Sequence, residues 1–562
     1  MNAALRLTLS LASLMLLLLA GSWLSGWLLL QWWGLPDTAT PWLWPRYLQL
    51  QQLPQLQAHQ RAIQLSGGIG LGLASLVWLG ALVLLWRKPA RSLHGDARFA
   101  SRTLLRRTGL FRNDPGGLLI GRSGRQLLRD HSQRFVLLAA PTRSGKGVSV
   151  VIPVLLDYAH SVVVLDIKGE NHARTSGYRH SIGQQVFCFQ PFAADGRSHR
   201  WNPLQHVSSD PARCAGDLRG IAQVLYPEGD HSGNQRFFTD QARNAFVALG
   251  LCLFERHARD LRLQLPAAQA PTLGQLYRLS IGDGRPMRDW LQLLADDDLL
   301  SASCRTSLRA LCGQADDTLA SIVGSLQAPL GLWADPQLDA ATSGHAIPLD
   351  QVRRQRMTVY LCITPDRLEQ AALLVRLFFS LLIRDNTRTL PEHDASLRHP
   401  CLLLLDEFTS MGRIDILAQS VSYMAGYQLR LLTVIQSMAQ LDACYGPEQA
   451  RNLATNHATQ ILFAPREQQD ARLYAEMLGN TTQRRQQRSH GRDTSHTEIL
   501  DSRPLLLPQE VKALGRERQL VLMEGLADAA LLDKICYYRD RRLRQRLLPA
   551  TPIPLLPSVE TP

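Results

Sequence analysis

The chain has 562 residues, more than one ordinary hydrophobic core accommodates, so two or more structural units are expected. Its formal net charge of +13 is compatible with nucleic acid, with anionic lipid or with neither, so charge alone selects no function. All nine cysteines lie between Cys188 and Cys536 without a C-x-x-C pair, which argues against a disulfide framework or a zinc module.

Two membrane-spanning helices are the first predicted elements. No charged residue occurs from Leu7 to Pro36 or from Ala62 to Trp86, and about 20 apolar helical residues are enough to cross a bilayer core. The first run exceeds the length of a signal-peptide core, so we expect an uncleaved anchor rather than a cleaved signal peptide. Basic residues are dense from Arg87 to Arg107 and sparse in the segment 37–61, which predicts that the chain after Arg87 is cytoplasmic.

The cytoplasmic part alternates short apolar runs with helical patterns, which is typical of an α/β fold with a mainly parallel sheet. Several of the runs are apolar on both faces, as buried central strands are. Strands are predicted at 135–139, 162–166, 358–363, 402–406, 431–436, 461–464 and 519–523.

Three segments depart from this alternation. Between residues 205 and 330 the patterns are amphipathic and helical, which predicts an all-α domain inserted between two strands. The segment 481–498 is polar and basic without periodicity, so a mobile loop is expected there. Residues 547–562 are rich in proline and are expected to form a disordered tail.

A phosphate-binding loop is predicted directly after the strand at 135–139. The sequence PTRSGKG follows a buried strand and precedes an apolar helical pattern, which is the context that a P-loop requires. Backbone N–H groups at a helix N-terminus, together with a lysine, hold the phosphates of a nucleotide. The predicted nucleotide-binding residues are Pro141, Thr142, Arg143, Ser144, Gly145, Lys146, Gly147 and Val148.

Two positions differ from the usual Walker A pattern. Ala140 replaces the first glycine, a change that the same turn accommodates, and Gly147 replaces the Ser or Thr that normally ligates Mg²⁺. Thr142, Ser144, Ser149 or a water would have to substitute for that hydroxyl. The alternative is a degenerate loop that does not hydrolyse ATP.

A second motif favours hydrolysis. The strand at 402–406 ends in the Walker B pair Asp406 and Glu407. Asp406 is placed to hold Mg²⁺ through water, and Glu407 to orient and deprotonate the attacking water. Gln436 ends the following strand, where RecA-like motors carry a polar residue that senses the γ-phosphate. Further candidates lie at the sheet edge where open α/β sheets bind ligands, namely Asp166, Lys168 and Glu170.

Several longer motifs occur in order along the chain. They are LHGDARFA (93–100), APTRSGKGVSVVIPVLL (140–156), VVVLDIKGEN (162–171), RWNPL (200–204), LLLLDEFTSMG (402–412), AGYQLRLLTVIQSMAQLDACYG (425–446) and RPLLLPQEV (503–511). Together they resemble the type IV secretion coupling proteins, the Vir-type and TraG-like ATPases. The form PTRSGKG is seen in that family, so the missing hydroxyl resembles a family variant rather than damage.

The resemblance implies an inner-membrane protein whose cytoplasmic RecA-like domains assemble as a hexamer, with ATP and Mg²⁺ at the subunit interfaces. It also implies that the helical insertion recognises cargo. The implied partners are secreted protein effectors or a relaxase–DNA complex, together with the inner-membrane components and ATPases of the secretion system. Lys146, Asp406, Glu407 and Gln436 carry over as catalytic residues. Such a site is completed by an arginine from a neighbouring subunit, for which Arg430 is the candidate.

The predicted function is therefore that of a coupling ATPase that recruits protein or nucleoprotein substrates and delivers them to a secretion channel. The alternatives are a membrane-anchored DNA pump and a docking scaffold without motor activity. If the cargo is DNA, basic residues of the polar segment would line a channel by contacting phosphates, namely Arg484, Arg485, Arg488 and Arg492.

The predicted domain boundaries follow from these elements. The N-terminal segment with the first transmembrane helix covers 1–33, a short periplasmic loop 34–61, and the second transmembrane helix 62–87. The RecA-like domain comprises 88–204 and 331–546, the inserted all-α domain 205–330, and the Pro-rich tail 547–562.

Overall fold

The computed structural model describes residues 3–86, 93–228, 233–265, 268–490 and 494–557. The chain divides into two compact units, Met1–Leu93 and His94–Pro562. Of the basic residues used in the sequence predictions, Arg492 and those at 87–92 lie outside the described residues.

The first unit is built from two long apolar helices that pack against each other. They are α1 (Ala3–Trp33) and α3 (Gln60–Trp86), and the short helix α2 (Leu43–Leu50) lies in the segment that joins them. The long helices approach closely at Gly70, where an added Cβ would come within 2.6 Å of the carbonyl oxygen of Gly21. By length and composition, Thr8–Trp33 and Gln57–Val83 are each able to cross a membrane.

The second unit contains thirteen strands among its described residues. They are β1 (Leu118–Ser123), β2 (Gln126–Asp130), β3 (Val136–Ala139), β4 (Ser161–Asp166), β5 (Gln185–Phe189), β6 (Met357–Cys362), β7 (Cys401–Leu405), β8 (Leu429–Ile435), β9 (Thr459–Leu462), β10 (Asn480–His490), β11 (Thr494–Pro504), β12 (Arg518–Met523) and β13 (Ala530–Asp533). Each of the seven predicted strands is present among them, within one or two residues at most ends. The other six strands, β1, β2, β5, β10, β11 and β13, were not predicted.

Eleven of these strands form one sheet in the order β2-β1-β13-β12-β9-β3-β8-β7-β4-β6-β5. The pairs from β9 through β5 are parallel, whereas β2, β1, β13 and β12 form an antiparallel edge that joins β9. The predicted α/β class with a mainly parallel sheet is confirmed.

Both faces of the parallel part are buried, which explains the continuous apolar runs in its strands. Along β3, Leu137 belongs to the hydrophobic core on one side of the sheet and Leu138 to the core on the other side. Val163 and Val164 of β4 divide between the two cores in the same way. A strand that is buried on both faces has no solvent-facing side chains, so polar and apolar residues do not alternate along it.

Helices cover the sheet and fill the long connection between β5 and β6. The helices of that connection are α7 (Pro211–Leu225), α8 (Gly233–Arg262), α9 (Leu273–Ile281), α10 (Met287–Ala295), α11 (Ala302–Cys312), α12 (Asp316–Leu330) and α13 (Pro336–Ala341). No strand occurs in its described residues, and its helices continue past the predicted boundary at 330 to Ala341.

The remaining helices of the second unit flank this connection in the chain. Before it lie α4 (Arg102–Arg107), α5 (Ile152–Leu155) and α6 (Glu170–Ser181). After it lie α14 (Leu368–Asn386), α15 (Asp415–Ser420), α16 (Met438–Tyr445), α17 (Pro447–Asn456), α18 (Gln468–Met477), α19 (Pro508–Lys512) and α20 (Arg541–Gln545).

The loop expected at 481–498 is wrong for 481–490 and 494–498, because β10 and β11 pair there as an antiparallel hairpin, and 491–493 lie outside the described residues. Its base is tied to the start of the second unit, where the backbone N–H of Thr482 donates to the carbonyl oxygen of Gly95. These two strands form a sheet of their own, and the segment 481–498 is polar, so no hydrophobic period indicates them.

The disordered tail expected after Arg546 is also wrong for residues 547–557. The backbone N–H of Leu556 donates to the carbonyl oxygen of Gly196, and that of Thr551 to the Ser176 hydroxyl on α6. Leu556 is buried against the core. Proline fixes an extended backbone, which here lies along the second unit rather than in solvent.

Candidate functional site

The order of the sheet brings the predicted motifs together at one edge. The strands β3, β8, β7 and β4 are adjacent and parallel, so their carboxyl ends lie side by side. The P-loop follows β3, Gln436 follows β8, the pair Asp406 and Glu407 follows β7, and Asp166 ends β4. Open α/β sheets bind their ligands at this edge.

The P-loop adopts the tight turn that its sequence predicts. Its backbone has a positive φ at Arg143 (61°) and Gly145 (87°), and the N–H of Ser144 donates to the carbonyl oxygen of Pro141. A π-helical turn at Gly147–Val151 follows, stabilised by the bond from the Ser149 N–H to the Gly145 carbonyl oxygen. The loop therefore ends at a helix N-terminus, where free N–H groups attract anions.

Lys146 contacts both carboxylates of the Walker B pair. Its Nζ lies 2.5 Å from Oε1 of Glu407 and 3.7 Å from Oδ1 of Asp406. Glu407 reaches this position from a backbone with φ of 58°, a left-handed conformation that a glutamate rarely adopts. Strain of this kind is concentrated at functional sites.

Gln436 connects the P-loop to Glu407. Its side-chain Nε2 donates to Oε2 of Glu407 at 2.8 Å, and its Oε1 accepts from the hydroxyl of Thr142 at 2.8 Å. One amide is thus bonded both to the predicted base and to the loop predicted to carry phosphate, and its role as a γ-phosphate sensor stays a prediction.

The three carboxylates differ in electrostatic environment. Burial raises the pKa of Asp166 to about 6, although the backbone N–H of His172 donates to it. Burial also raises the pKa of Asp406, with Lys146 acting in the opposite direction. For Glu407, burial is outweighed by contacts with Lys146 and Gln436, and the pKa is lowered. Glu407 is therefore ionised at neutral pH and able to accept a proton.

The donor groups present fit a hydrated Mg²⁺ beside a nucleotide. Oδ1 of Asp406 and Oγ of Ser144 are buried without a hydrogen-bond partner among the described residues. Hydroxyl and carboxylate oxygens are the ligands that Mg²⁺ prefers. No group of three or more His, Cys, Asp or Glu in the described residues is suited to a metal, so such an ion depends on water and phosphate for its other ligands. Among the hydroxyls considered to replace the missing Walker A hydroxyl, that of Thr142 donates to Gln436, whereas that of Ser144 has no partner among the described residues.

The two other residues predicted at the rim, Lys168 and Glu170, are exposed at the start of α6. Lys168 acts on the site through its charge, which lowers the pKa of both Asp406 and Glu407.

The prediction that Arg430 acts on a neighbouring subunit is wrong. Arg430 lies on β8 near the end opposite to Gln436, and only 1% of it is exposed. Its guanidinium lies 3.7 Å from Oδ2 of Asp130 and donates to the carbonyl oxygen of Arg134. A side chain enclosed in its own sheet cannot reach another subunit.

Three further residues contact the site and were not predicted. Asn171 donates to Asp166 at 3.4 Å and to Asp406 at 3.5 Å, so it bridges the two carboxylates. Arg466 and Lys534 donate to the carbonyl oxygens of Thr142 and Ser144 in the P-loop. Arg466 follows β9, a predicted strand, and that position was the available signal. Lys534 follows β13, which was not predicted, so no such signal indicated it.

Comparison with known proteins agrees with this arrangement. Residues 94–554 match the family described as type IV secretory system conjugative DNA transfer. The chain is 32% identical to protein VirD4 of Rhizobium rhizogenes over 483 residues, covering 84% of this chain and 69% of that protein. It is 28% identical to the conjugal transfer protein TraG of Escherichia coli, covering 74% of this chain and 71% of that protein. Among solved structures, the plasmid coupling protein TrwB in complex with ADP and Mg²⁺ shares the fold with a TM-score of 0.53 at 17% identity, covering 80% of this chain and 96% of that chain.

Proposed function

This chain belongs to the type IV secretory system conjugative DNA transfer family, and from that membership we propose that it is the coupling ATPase of such a system. In this proposal α1 and α3 anchor it in the bacterial inner membrane, with the second unit in the cytoplasm. It recruits protein or nucleoprotein substrates and delivers them to the secretion channel at the expense of ATP. As in the sequence prediction, it works as a hexamer with nucleotide at the subunit interfaces.

The observation that carries the proposal is the contact between Lys146 and Glu407 at the carboxyl edge of the sheet. The P-loop lysine forms an ion pair with the glutamate at the end of a strand. Gln436 is hydrogen-bonded both to that glutamate and to the P-loop. A docking scaffold without motor activity has no need of this network.

Each residue then has a role in hydrolysis. The P-loop N–H groups and Lys146 bind the phosphates, and Glu407 accepts the proton of the attacking water. Gln436 senses the γ-phosphate, and its amide transmits the presence of that phosphate through its hydrogen bond to Glu407. Mg²⁺, when bound, neutralises phosphate charge, and Asp406 and Ser144 are the residues that would hold it, Asp406 through water.

The test compares the full-length wild type with Lys146→Ala and with Lys512→Ala, an exposed control on α19. Phosphate release is measured in detergent, and substrate transfer is measured in cells. We expect Lys146→Ala to abolish both hydrolysis and transfer while the control retains both. Loss of hydrolysis with normal transfer would instead identify a scaffold.

The substrate class is tested by binding. The detergent-solubilised chain is incubated with single-stranded and double-stranded DNA across a range of salt concentrations, because phosphate contacts weaken steeply with salt. The same solubilised chain is also used as bait for the soluble proteins of the host. Capture of proteins that share a terminal segment, without salt-resistant DNA binding, would identify protein effectors. Capture of a relaxase would identify a nucleoprotein substrate.

A further inference from the structure

Lys534 is a buried lysine that ends beside the P-loop. It directly follows β13, and its backbone N–H donates to the carbonyl oxygen of Glu517 at 2.7 Å. Only 7% of the residue is exposed. Its side chain reaches the P-loop, although β12 and β9 lie between β13 and β3 in the sheet.

Among the described residues, the ammonium group of Lys534 contacts the P-loop and a ring that is bonded to the strand before the P-loop. Its Nζ lies 3.3 Å from the carbonyl oxygen of Ser144 and 3.3 Å from the centre of the Phe463 ring. Phe463 is itself fixed to the P-loop strand, since its N–H donates to the carbonyl oxygen of Ala139 at 3.0 Å. The ring therefore holds the cation in place by a cation–π contact.

The contact with Ser144 fixes one peptide plane of the loop. In a trans peptide the carbonyl and the following N–H point in opposite directions. Because the Ser144 carbonyl is directed at Lys534, the N–H of Gly145 is directed away from it. Gly145 has a φ of 87°, and a glycine populates other backbone conformations about as readily as this one. A fixed carbonyl restricts that freedom.

The charge of Lys534 is not balanced within the described residues. None of their carboxylates lies within the 4.0 Å of an ion pair with its Nζ. Burial lowers the pKa of Lys534 to about 8, so most of the side chain stays charged at neutral pH. A buried cation without a partner is costly, and an anion bound nearby lowers that cost.

From this geometry we propose that Lys534 is a positioning residue of the nucleotide site. Its ammonium group orients the peptide between Ser144 and Gly145 and supplies a second positive charge behind the loop that receives the phosphates. The proposal rests on the proposed ATPase function. It differs from the role of Lys146, which contacts the phosphates directly.

Arg466 is a natural comparison, because it donates to the neighbouring carbonyl oxygen of Thr142 at 2.9 Å. Arg466 is exposed, however, and water can replace its hydrogen bond. The buried lysine should therefore matter more than the exposed arginine, although each donates to one carbonyl of the same loop.

The test uses the full-length protein in detergent and a fluorescent ADP analogue with Mg²⁺. The variants are Lys534→Met, which keeps the length without the charge, Lys534→Arg, which keeps the charge, and Lys512→Met as an exposed control. We expect Lys534→Met to weaken binding of the analogue about tenfold and to raise the KM for ATP more than it lowers kcat. Lys534→Arg should recover most of the affinity, and Lys512→Met should match the wild type.

Two results would overturn the proposal for Lys534 alone. One is wild-type affinity in Lys534→Met. The other is an equal loss in Lys534→Arg and Lys534→Met with an equal fall in melting temperature, which would indicate a packing role. A parallel measurement on Lys146→Ala separates the proposed function. If Lys146→Ala binds the analogue as the wild type does, the ATPase proposal fails, and the proposal for Lys534 fails with it.

Discussion

The ammonium group of Lys146 lies 2.5 Å from a carboxylate oxygen of Glu407, so nucleotide phosphates must compete with that carboxylate for the same charge. When phosphate attracts Lys146, Glu407 loses its strongest counter-charge and becomes free to contact water. Its proton affinity then rises, because Lys146 is one of the groups that lower its pKa. In the proposed ATPase, binding thus prepares the base for its reaction.

The first prediction concerns Glu407→Gln. Removing the charge breaks the ion pair, so the variant should bind ATP at least as tightly as the wild type. Hydrolysis should fall by about 10² or more, since a general base contributes roughly that factor. Equilibrium binding of a fluorescent ATP analogue and phosphate release measure the two effects separately.

Glu448→Gln is a matched control, because Glu448 is exposed at the start of α17 and should change neither quantity. Weaker ATP binding in Glu407→Gln would contradict the competition between Glu407 and phosphate for Lys146.

The second prediction concerns the missing hydroxyl of the P-loop. A Cβ added at Gly147 meets no atom within 4 Å, so Gly147→Ser should fold normally. If Ser144 is an imperfect substitute ligand, the new hydroxyl should lower the Mg²⁺ concentration that gives half-maximal hydrolysis. A Mg²⁺ titration of the ATPase rate measures this.

Gly145→Ala provides the contrast at the same loop. Its φ of 87° disfavours any residue with a Cβ, so this variant should lose nucleotide binding. If Gly145→Ala and Gly147→Ser bound nucleotide equally well, backbone conformation would not be what distinguishes the two glycines.

At the scale of elements, the C-terminal segment 547–557 holds α6 in place. Thr551 bonds to Ser176, and an added Cβ at Gly177 would collide with the carbonyl oxygen of Pro549. The N-terminal part of α6 carries Asn171, which contacts Asp406. The segment therefore supports a helix that contributes directly to the site.

The third prediction compares two neighbouring leucines of this segment. Leu556 is 8% exposed and Leu555 is 66% exposed. Leu556→Ala should destabilise the second unit by about 2 kcal/mol, because it removes buried apolar surface. Leu555→Ala should have almost no effect. Thermal melting and limited proteolysis of the two variants check this, and equal melting temperatures would mean that the segment does not contribute to stability.

The elements differ in how far the sequence predicts them. The strands β3, β4, β7 and β8 were predictable because burial on both faces requires continuous apolar residues, and Lys146, Asp406, Glu407 and Gln436 follow such strands. The hairpin was not predictable, since its backbone pairing leaves no hydrophobic pattern. Asn171 and Lys534 were missed because side chains distant in sequence meet in the site only through the order of the strands.

At the scale of the whole molecule, the two compact units have different surfaces. In the first unit, large apolar side chains such as Leu16, Leu73 and Leu76 are exposed along α1 and α3. Apolar surface of this extent is unfavourable in water and favourable in a bilayer. The second unit has its own cores on the two faces of its sheet.

The fourth prediction follows from this contrast. The full-length chain should stay with the membrane fraction after an alkaline carbonate wash, whereas residues 94–562 expressed alone should remain in the supernatant. Ultracentrifugation followed by detection of the chain in each fraction measures this. Release of the full-length chain by carbonate would show that α1 and α3 do not span the bilayer.

The connection from β5 to β6 has an evolutionary consequence. These strands are neighbours at the outer end of the sheet, and β4 separates them from β7. The whole helical region is thus a single enlarged crossover, and it leaves and re-enters the sheet at strands that β8, β7 and β4 separate from β3. Lineages can lengthen, shorten or exchange it while the strands that carry Lys146 and Glu407 keep their register. In the proposed coupling ATPase, with the helical region as the part expected to recognise cargo, recognition and energy conversion could therefore diversify at separate rates within one polypeptide.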